Sequence, residues 1–392
     1  MKTVRCVLKP GREKPVQAFH PWIFSGAIDL IDEGYQAGDL VRVLSADEKF
    51  LGTGYLNPQS QITVRMLAFD ERAINADFFR EKIKAAVALR SAFIPPKVSG
   101  YRLIHSEGDF LPGLIVERYG DFLVSQFLTA GMTLWKEALA ELLKAVPGIK
   151  GLYERSDAEA LAKEGLEPNS GVLWGAEPPE LVPFEESGFQ FFADVREGQK
   201  SGFFFDQRDN RALIGGLCRG KNVLNCFSYS GAFSVYAAGG GAKRVVSVDS
   251  SADAIDMARV HLEKNGFAAK DFPCLQDDVF RYLREDDSAY DVIILDPPAF
   301  CKRKDQVTQA ARGYKDINLL AFKKLVPGGL LFTASCSSCI DLHLFQNIIF
   351  GTAKDAGRPV RILKRTGHGA DHPVSIYHPE GEYLKGILCQ AL

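Results

Sequence analysis

The 392-residue sequence predicts a multidomain protein: a β-rich N-terminal domain, a central α+β domain and a C-terminal α/β domain with a doubly wound, mostly parallel sheet. Three observations carry this. The chain is longer than the ~100 to 200 residues typical of one domain. Its opening is a series of short alternating or β-branched runs separated by Asn, Pro, Gly and Asp, with little helical periodicity. From Phe184 onward, strand-like and helix-like segments alternate strictly, the pattern of a parallel sheet with crossover helices.

The runs "GDLVRVLS", "FLGTGYLN" and "QITVRML" place a β-rich domain at 1–72. A helix follows over Ala73 to Ala92, "AINADFFREKIKAAVALRSA", with Asn75 or Asp77 as its N-cap. Strands within "YRLIHSEGDFLPGLIVERYGDFLVSQFL" turn at "EGD" and "YGD", and "TLWKEALAELLKAV" is an amphipathic helix. A Gly/Pro-rich connection closes this second domain, 73–183. In the third, 184–392, the strands are "NVLNCF", "RVVSVD", "FPCLQ", "DVIILD", "LLFTAS" and a late, antiparallel "YLKGILCQ"; helices between them include "ADAIDMARVHLEKNG" and "YKDINLLAFKKL".

Composition sets limits on function. Hydrophobic content of 46% and charged content of 24% are those of a soluble globular protein, and a net charge of -2 gives no overall basic excess for nucleic acid. The opening "MKTVRCVLKPGREK" lacks the apolar core of a signal peptide, and no run reaches the ~18 residues of a membrane span, so a cytoplasmic protein with no membrane partner is expected. Eight scattered cysteines, mostly inside strand-like segments, suit reduced thiols better than a disulfide framework.

Motifs cluster at the predicted carboxyl ends of the strands, where open α/β sheets bind ligands. The first strand runs through Asn225 into "NCFSYSGAFSVYAAGGGA", and the second ends at Asp249, 24 residues later. That spacing suits a nucleotide ribose held by Asp249, with the turn at Ser230 and Gly231 allowing close backbone approach. No G-x-G-x-x-G occurs there, so a ribose and adenine ligand without a pyrophosphate, S-adenosylmethionine, fits better than NAD. The simpler alternative is that Asp249, Ser250 or Ser251 only caps the next helix. After the third strand, one of Asp277 and Asp278 is expected to accept from an adenine amine while the other caps "VFRYLRE". Upstream, "EGQKSGFFFDQRDNR" sets three phenylalanines before Asp206, Gln207 and Arg208; its "GQKSG" lacks the spacing of a triphosphate-binding loop.

The fourth strand ends in "DPPAF". Two prolines after a buried strand fix an extended exit, either presenting Asp296 and nearby carbonyls to a planar substrate or simply stopping the strand. One strand later, "LLFTASCSSCID" places Cys336 at a strand tip, as a core filler, half of a metal pair with Cys339, or a nucleophile. A lone C-x-x-C supplies too few of the four ligands a structural zinc takes, so no metal is expected.

Together "GDLVRVLSADEKFLGTGYLNPQSQITVRML", "SEGDFLPGLIVERYGD", "GQKSGFFFDQRDNR", "FSYSGAFSVYAAGGGA", "DPPAF", "RGYKDINLLAFKKLVPGGLL", "SCS" and "DHPV" resemble, in order and spacing, the bacterial large-subunit ribosomal RNA cytosine-5 methyltransferases, RlmI and its relatives. The resemblance covers nearly the whole chain. It implies an N-terminal PUA domain, an RNA-binding β-barrel; a central α+β domain; and a C-terminal Rossmann-like class I methyltransferase domain. It implies S-adenosylmethionine held by Asp206, Gln207, Arg208, the turn from Asn225 through Ser230 and Gly231, Asp249, Asp278 and Asp296. Cys336 would be the nucleophile, and the RNA partner would be large-subunit ribosomal RNA or an assembly intermediate, with a homodimer left open.

The chemistry needs such a sulfur. Cytosine C5 attacks a methyl sulfonium poorly until a thiolate adds at C6, and the thiol pKa must be lowered for that. Asp296, protonated or sharing a proton near N3, would stabilise charge on the ring. Some RNA cytosine-5 methyltransferases carry a second cysteine directly after Pro-Pro to assist release; here Ala299 stands there, and Cys301 is read as structural.

The alternatives are a base-amine methyltransferase using "DPPAF" without a cysteine nucleophile, and an RNA-binding protein that only binds the cofactor. Phe300 would stack on the base in either catalytic scheme. Lys302 and Arg303, with Lys304 and Arg312, form a basic cluster suited to phosphates around a flipped base. His20 and Trp22 in "FHPWIFSG" read as a capped turn and a core aromatic rather than an RNA-stacking pair, and Asp371 and His372 as a loop that only the resemblance brings near the active face.

Overall fold

Alternating and β-branched residues at the start of the chain form a six-stranded mixed sheet because one face of each strand is apolar. In order across the sheet the strands are Trp22–Phe24, Ile62–Ala68, Phe50–Leu56, Leu40–Leu44, Val4–Leu8 and Ile28–Ile31. Val4, Cys6, Leu8, Val41, Val43, Val64 and Met66 pack together within it. In this computed structural model the described residues are 4–156, 158–198 and 202–392; Gln199 to Ser201, the centre of the "GQKSG" stretch, lie outside them.

The helix Ala76–Phe93 starts where the side chain of Asn75 accepts from Phe78 N at 3.0 Å, which selects Asn75 over Asp77 as the cap. It buries Phe78, Phe79, Ile83 and Ala86. A five-stranded sheet follows, ordered Ser170–Gly175, Gly151–Arg155, Phe122–Phe127, Leu114–Tyr119, Gly100–His105. The chain divides into two compact units. One comprises the chain through Glu185 with Phe192–Phe203 and Ala370–Gly381; the other comprises Glu186–Phe191, Phe204–Gly369 and Glu382–Leu392.

The second unit holds a seven-stranded sheet: β1 (Asn222–Cys226), β2 (Arg244–Asp249), β3 (Cys274–Gln276), β4 (Tyr290–Leu295), β5 (Leu325–Ser335), β6 (Val360–Thr366) and β7 (Lys385–Ala391), in the order 3-2-1-4-5-7-6. Strands β1 to β5 are mutually parallel, and β7 runs antiparallel between β5 and β6. Period-two alternation sends Leu224, Val246, Ile293 and Leu331 to one layer of core and Val223, Val245, Val292 and Phe332 to the other. Burial on both faces explains why these strands read as continuous apolar runs. Strand β6, "VRILKRT", escaped the sequence reading because it is an edge strand whose residues are largely exposed and basic. The chain reverses its spatial order between β1 and β4, so the carboxyl ends of β1, β2, β4 and β5 converge on one crevice.

Candidate active site

The turn after β1 is built from backbone that side chains rarely adopt. Phe227 (φ 57°), Tyr229 (φ 46°) and Gly231 (φ 73°) are all left-handed. For a bulky non-glycine residue this costs on the order of 1–3 kcal/mol, and surrounding hydrogen bonds hold it. Asp249 at the tip of β2 accepts from Tyr229 N at 2.8 Å and from Ser251 N at 3.0 Å, and the ring of buried His261 lies 2.7 Å from the Ser230 carbonyl. A Cβ on Gly231 would sit 2.7 Å from Ala258 Cβ, so glycine here serves packing against the helix Ala252–Lys264.

The turn also holds buried polar atoms with no partner among the described residues: Asn225 Oδ1, Ser228 Oγ and Ser230 Oγ. Such groups are costly to bury. Three of them, beside the Asp249 carboxylate and the start of the helix Ala232–Gly239, form the donor and acceptor set that a nucleoside amino acid needs. The residues therefore fit S-adenosylmethionine. Helix capping after β2 is done by Ser251, whose hydroxyl accepts from Ala254 N, which leaves Asp249 for the turn. Asp278 caps Val279–Glu285 through Oδ1, and Asp277 is engaged by the Arg281 guanidinium.

Asp206, Gln207 and Arg208 are all buried at the start of the helix Arg208–Gly215. Gln207 Nε2 donates to Asp296 Oδ1 at 2.8 Å, and Asn210 Nδ2 donates to Gln207 Oε1 at 2.6 Å. Tyr383 OH donates to Asp206 Oδ2 at 2.7 Å. The segment is clamped from behind by Arg211, which gives two bonds to Glu186 (2.8 and 2.7 Å) and one to the Phe204 carbonyl (2.8 Å), while Tyr236 OH donates to Glu186 at 3.0 Å. Asn210, Arg211 and Tyr383 were not singled out from sequence; the only signal was that two of them stand in the already quoted "DQRDNR".

Register places Leu295 opposite Thr333, so the exits of β4 and β5 emerge side by side. The half-buried Cys336 Sγ is 3.9 Å from the Pro297 carbonyl, one residue from Asp296. Lys385, opposite Ser335 across the β5–β7 ladder, is 5% exposed and donates to the carbonyls of Ser337 (2.7 Å) and Tyr383 (2.8 Å). Burial pulls its ammonium below the usual lysine range, and the charge of a Cys336 thiolate acts in the opposite sense. The buried cation and the thiol therefore feel each other. Tyr314 OH is bracketed by Ser335 Oγ at 2.9 Å and Ser337 Oγ at 3.0 Å, which orders the chain on both sides of the cysteine.

The remaining expected residues have partners of their own. Phe300 packs with Tyr314 (centroids 4.8 Å apart), Phe280 and Phe227, so its ring is partly committed to core. Lys302 and Arg303 are exposed, with Arg303 paired to Asp305. Cys301 is 1% exposed and points Sγ at the Arg303 carbonyl; burial first, then Cys339, pushes its thiol up. Asp371 and His372 are buried in the first unit, where Arg90 and Arg102 hydrogen-bond to Asp371. Among the described residues no helix is long and apolar enough to cross a membrane.

Comparisons agree with this geometry. A PUA-like domain model matches residues 7–69, and an S-adenosylmethionine-dependent methyltransferase model matches 102–365. Ribosomal RNA large subunit methyltransferase I of Photobacterium profundum is 45% identical over 99% of both chains, and that of Aliivibrio fischeri 45% over all of both. A crystal structure of SMU.776 complexed with SAH superposes with a TM-score of 0.85 at 25% identity, covering all of both chains. With the strand order, the orphaned polar turn and full-length identity of this degree, the chain belongs to the S-adenosylmethionine-dependent ribosomal RNA large subunit methyltransferase I family.

Proposed function

We propose that the chain methylates C5 of a cytosine in large-subunit ribosomal RNA, with Cys336 as a covalent nucleophile. The observation that carries this is the thiol itself: a half-buried Cys336 at the tip of β5, against the Pro297 carbonyl beside Asp296, next to a buried lysine ammonium. A base-amine methyltransferase has no use for that thiol.

Lys385 favours the thiolate over the thiol, as a neighbouring cation does. The thiolate adds to C6 of the ring, and the displaced electron pair makes C5 nucleophilic. Bound S-adenosylmethionine supplies an electrophilic methyl group. Asp296, whose Oδ1 accepts from Gln207 Nε2, is assigned to the N3 edge of the base, where its carboxyl, protonated or sharing a proton with N3, steadies the developing charge. A base then takes the C5 proton, the C–H electron pair re-forms the C5–C6 double bond, and the S–C6 bond breaks with its pair returning to Cys336 as thiolate. For the cofactor, Asp249 is assigned to the ribose, and Asn225, Ser228 and Ser230 to the amino acid end; Asp278 is assigned to the adenine amine through the oxygen its cap bond leaves, so that one residue takes both roles that the sequence divided between Asp277 and Asp278. Lys302 and Arg303 are assigned to RNA phosphates, and the 7–69 domain to RNA as well.

The test is nucleoside mass spectrometry on unmodified large-subunit ribosomal RNA incubated with S-adenosylmethionine and either wild type or Cys336→Ala. Wild type is expected to make 5-methylcytidine and the variant none. A methyl group on a base amine that survives the substitution would refute the assignment.

A further inference from the structure

The first unit contains a second, unassigned aromatic cleft of about 300 Å³. Two of its walls are phenylalanines in left-handed backbone: Phe19 at φ 64° and Phe110 at φ 57°, ψ 34°. Bulky L residues rarely adopt this region. Burial does not explain their identity, because the two rings are 48% and 47% exposed. Both stand where a short helical turn ends, and residues held in such backbone cluster at binding sites. Phe19 meets Phe69 in a T-shaped contact with centroids 5.3 Å apart and is tilted against Tyr377 at 5.1 Å, and both Phe19 and Phe110 line the cleft.

The charges are equally selective. Asp70 is taken by Arg72 through two bonds of 2.7 Å, and Glu107 accepts from Trp22 Nε1 at 2.7 Å and from Ser106 Oγ. Lys82 is different. Its ammonium lies 5.0 Å from the Phe110 centroid and 5.6 Å from that of Phe78, with no carboxylate at ion-pair distance among the described residues. Burial, then the Arg72 charge, pulls it below the usual lysine range, so it gains from an incoming anion.

We propose that this cleft is a seat for an unpaired nucleobase of single-stranded RNA, stacked on Phe19 and Phe110, with Lys82 meeting the adjoining phosphate. Aromatic platforms beside a cation are how proteins hold single strands without reading sequence. A seat of this kind would grip unpaired RNA at a point distinct from the reacting base. The inference rests on RNA being the substrate, and is independent of the chemistry assigned to Cys336.

The experiment is fluorescence anisotropy of the full-length protein with a labelled twelve-nucleotide single-stranded RNA, without cofactor, across a salt series. Phe110→Gly and Phe19→Gly are each expected to weaken binding on the order of 10-fold, the scale of one lost base stack. Because glycine adopts left-handed backbone freely, neither should lower Tm. Lys82→Gln is expected to flatten the log–log salt slope by about 0.7, one phosphate contact on a single strand. A blunt duplex of the same composition should compete poorly. Unchanged affinity in all three variants would overturn the proposal, as would a fall in Tm at Phe110→Gly and Phe19→Gly with RNA affinity intact, since that is what a packing role predicts. No methyl transfer is measured, so a failure of the Cys336 assignment leaves this readout unaffected.

Discussion

Replacing Arg211 with methionine tests whether the buried clamp behind "DQRDNR" sets the geometry of the site. Arg211 and Glu186 are 2% and 0% exposed and share two charge-assisted bonds. Removing one member of such a pair leaves the other buried and uncompensated, at a cost of about 3–5 kcal/mol. For a unit of this size that lowers Tm by roughly 6–20 °C. The loss should depend on pH in a defined sense. Burial pushes the Glu186 carboxyl up while Arg211, and then Arg208, pull it down. Without Arg211 the largest opposing pull is gone and burial outweighs what Arg208 and Tyr236 still supply, so the folded state holds a proton that the unfolded state releases, and stability falls as pH rises above the ordinary carboxylate range. Relative to wild type, Arg211→Met should therefore be less destabilised at pH 5 than at pH 8. Calorimetry across that range reads both effects. Glu186→Leu with Arg211→Met should recover much of the loss, because an apolar pair pays no desolvation. S-adenosylmethionine affinity, measured below the transition, should fall in the single variant as Gln207 and Asp206 lose their support. A destabilisation under about 1 kcal/mol with no pH dependence would refute the reasoning.

Three further outcomes follow from the site. Lys385→Met should raise the Cys336 thiol pKa and move the acidic limb of the activity profile to higher pH, about tenfold less thiolate at pH 7 per unit shifted, with Lys385→Arg restoring part of it. Iodoacetamide labelling of the Cys336 peptide against pH checks this apart from turnover, and an unchanged labelling curve counts against the role. Cys301→Ala should retain activity within about twofold, since burial keeps that thiol protonated; accumulation of a protein–RNA adduct in that variant would instead assign product release to Cys301. Ser230→Ala should weaken S-adenosylmethionine by about 5- to 10-fold, the scale of one hydrogen bond, while Tm holds or rises because an orphaned buried hydroxyl is gone; isothermal titration with paired thermal melts decides it.

The parallel sheet was legible because strands buried on both faces leave uninterrupted apolar runs, and the position of Cys336 was legible because such a run simply ends there. Strand β6 was not, since an edge strand carrying "RILKR" has no alternation to show. The identity of the cap after β2 was undecidable along the chain: Asp249, Ser250 and Ser251 are all cap-forming residues, and only the hydrogen bond from Ala254 N to Ser251 separates them. Lys385 lay hidden for a related reason. Its closeness to Cys336 is created by an antiparallel register between residues 50 apart, which no local pattern encodes.

Backbone strain is the least legible quantity of all, and here it falls where function is argued. Phe227 and Tyr229 would be read as ordinary strand-exit aromatics, and Phe19 and Phe110 as core. No propensity favours left-handed backbone at phenylalanine or tyrosine. Each position persists only because its surroundings over-determine it: Asp249 takes Tyr229 N, and Phe110 N bonds the Glu107 carbonyl in a short helical turn. In the second unit such residues shape the turn that carries the orphaned serines. In the first they line the cleft beside Lys82, whose ammonium has no carboxylate at ion-pair distance among the described residues. If strain at both places serves binding, glycine at Phe110 should stabilise the protein and weaken its hold on RNA, whereas glycine at Tyr229 should weaken its hold on the cofactor. Two losses that separate by ligand would tie each strained turn to its own partner, and a shared loss would tie both to the fold alone.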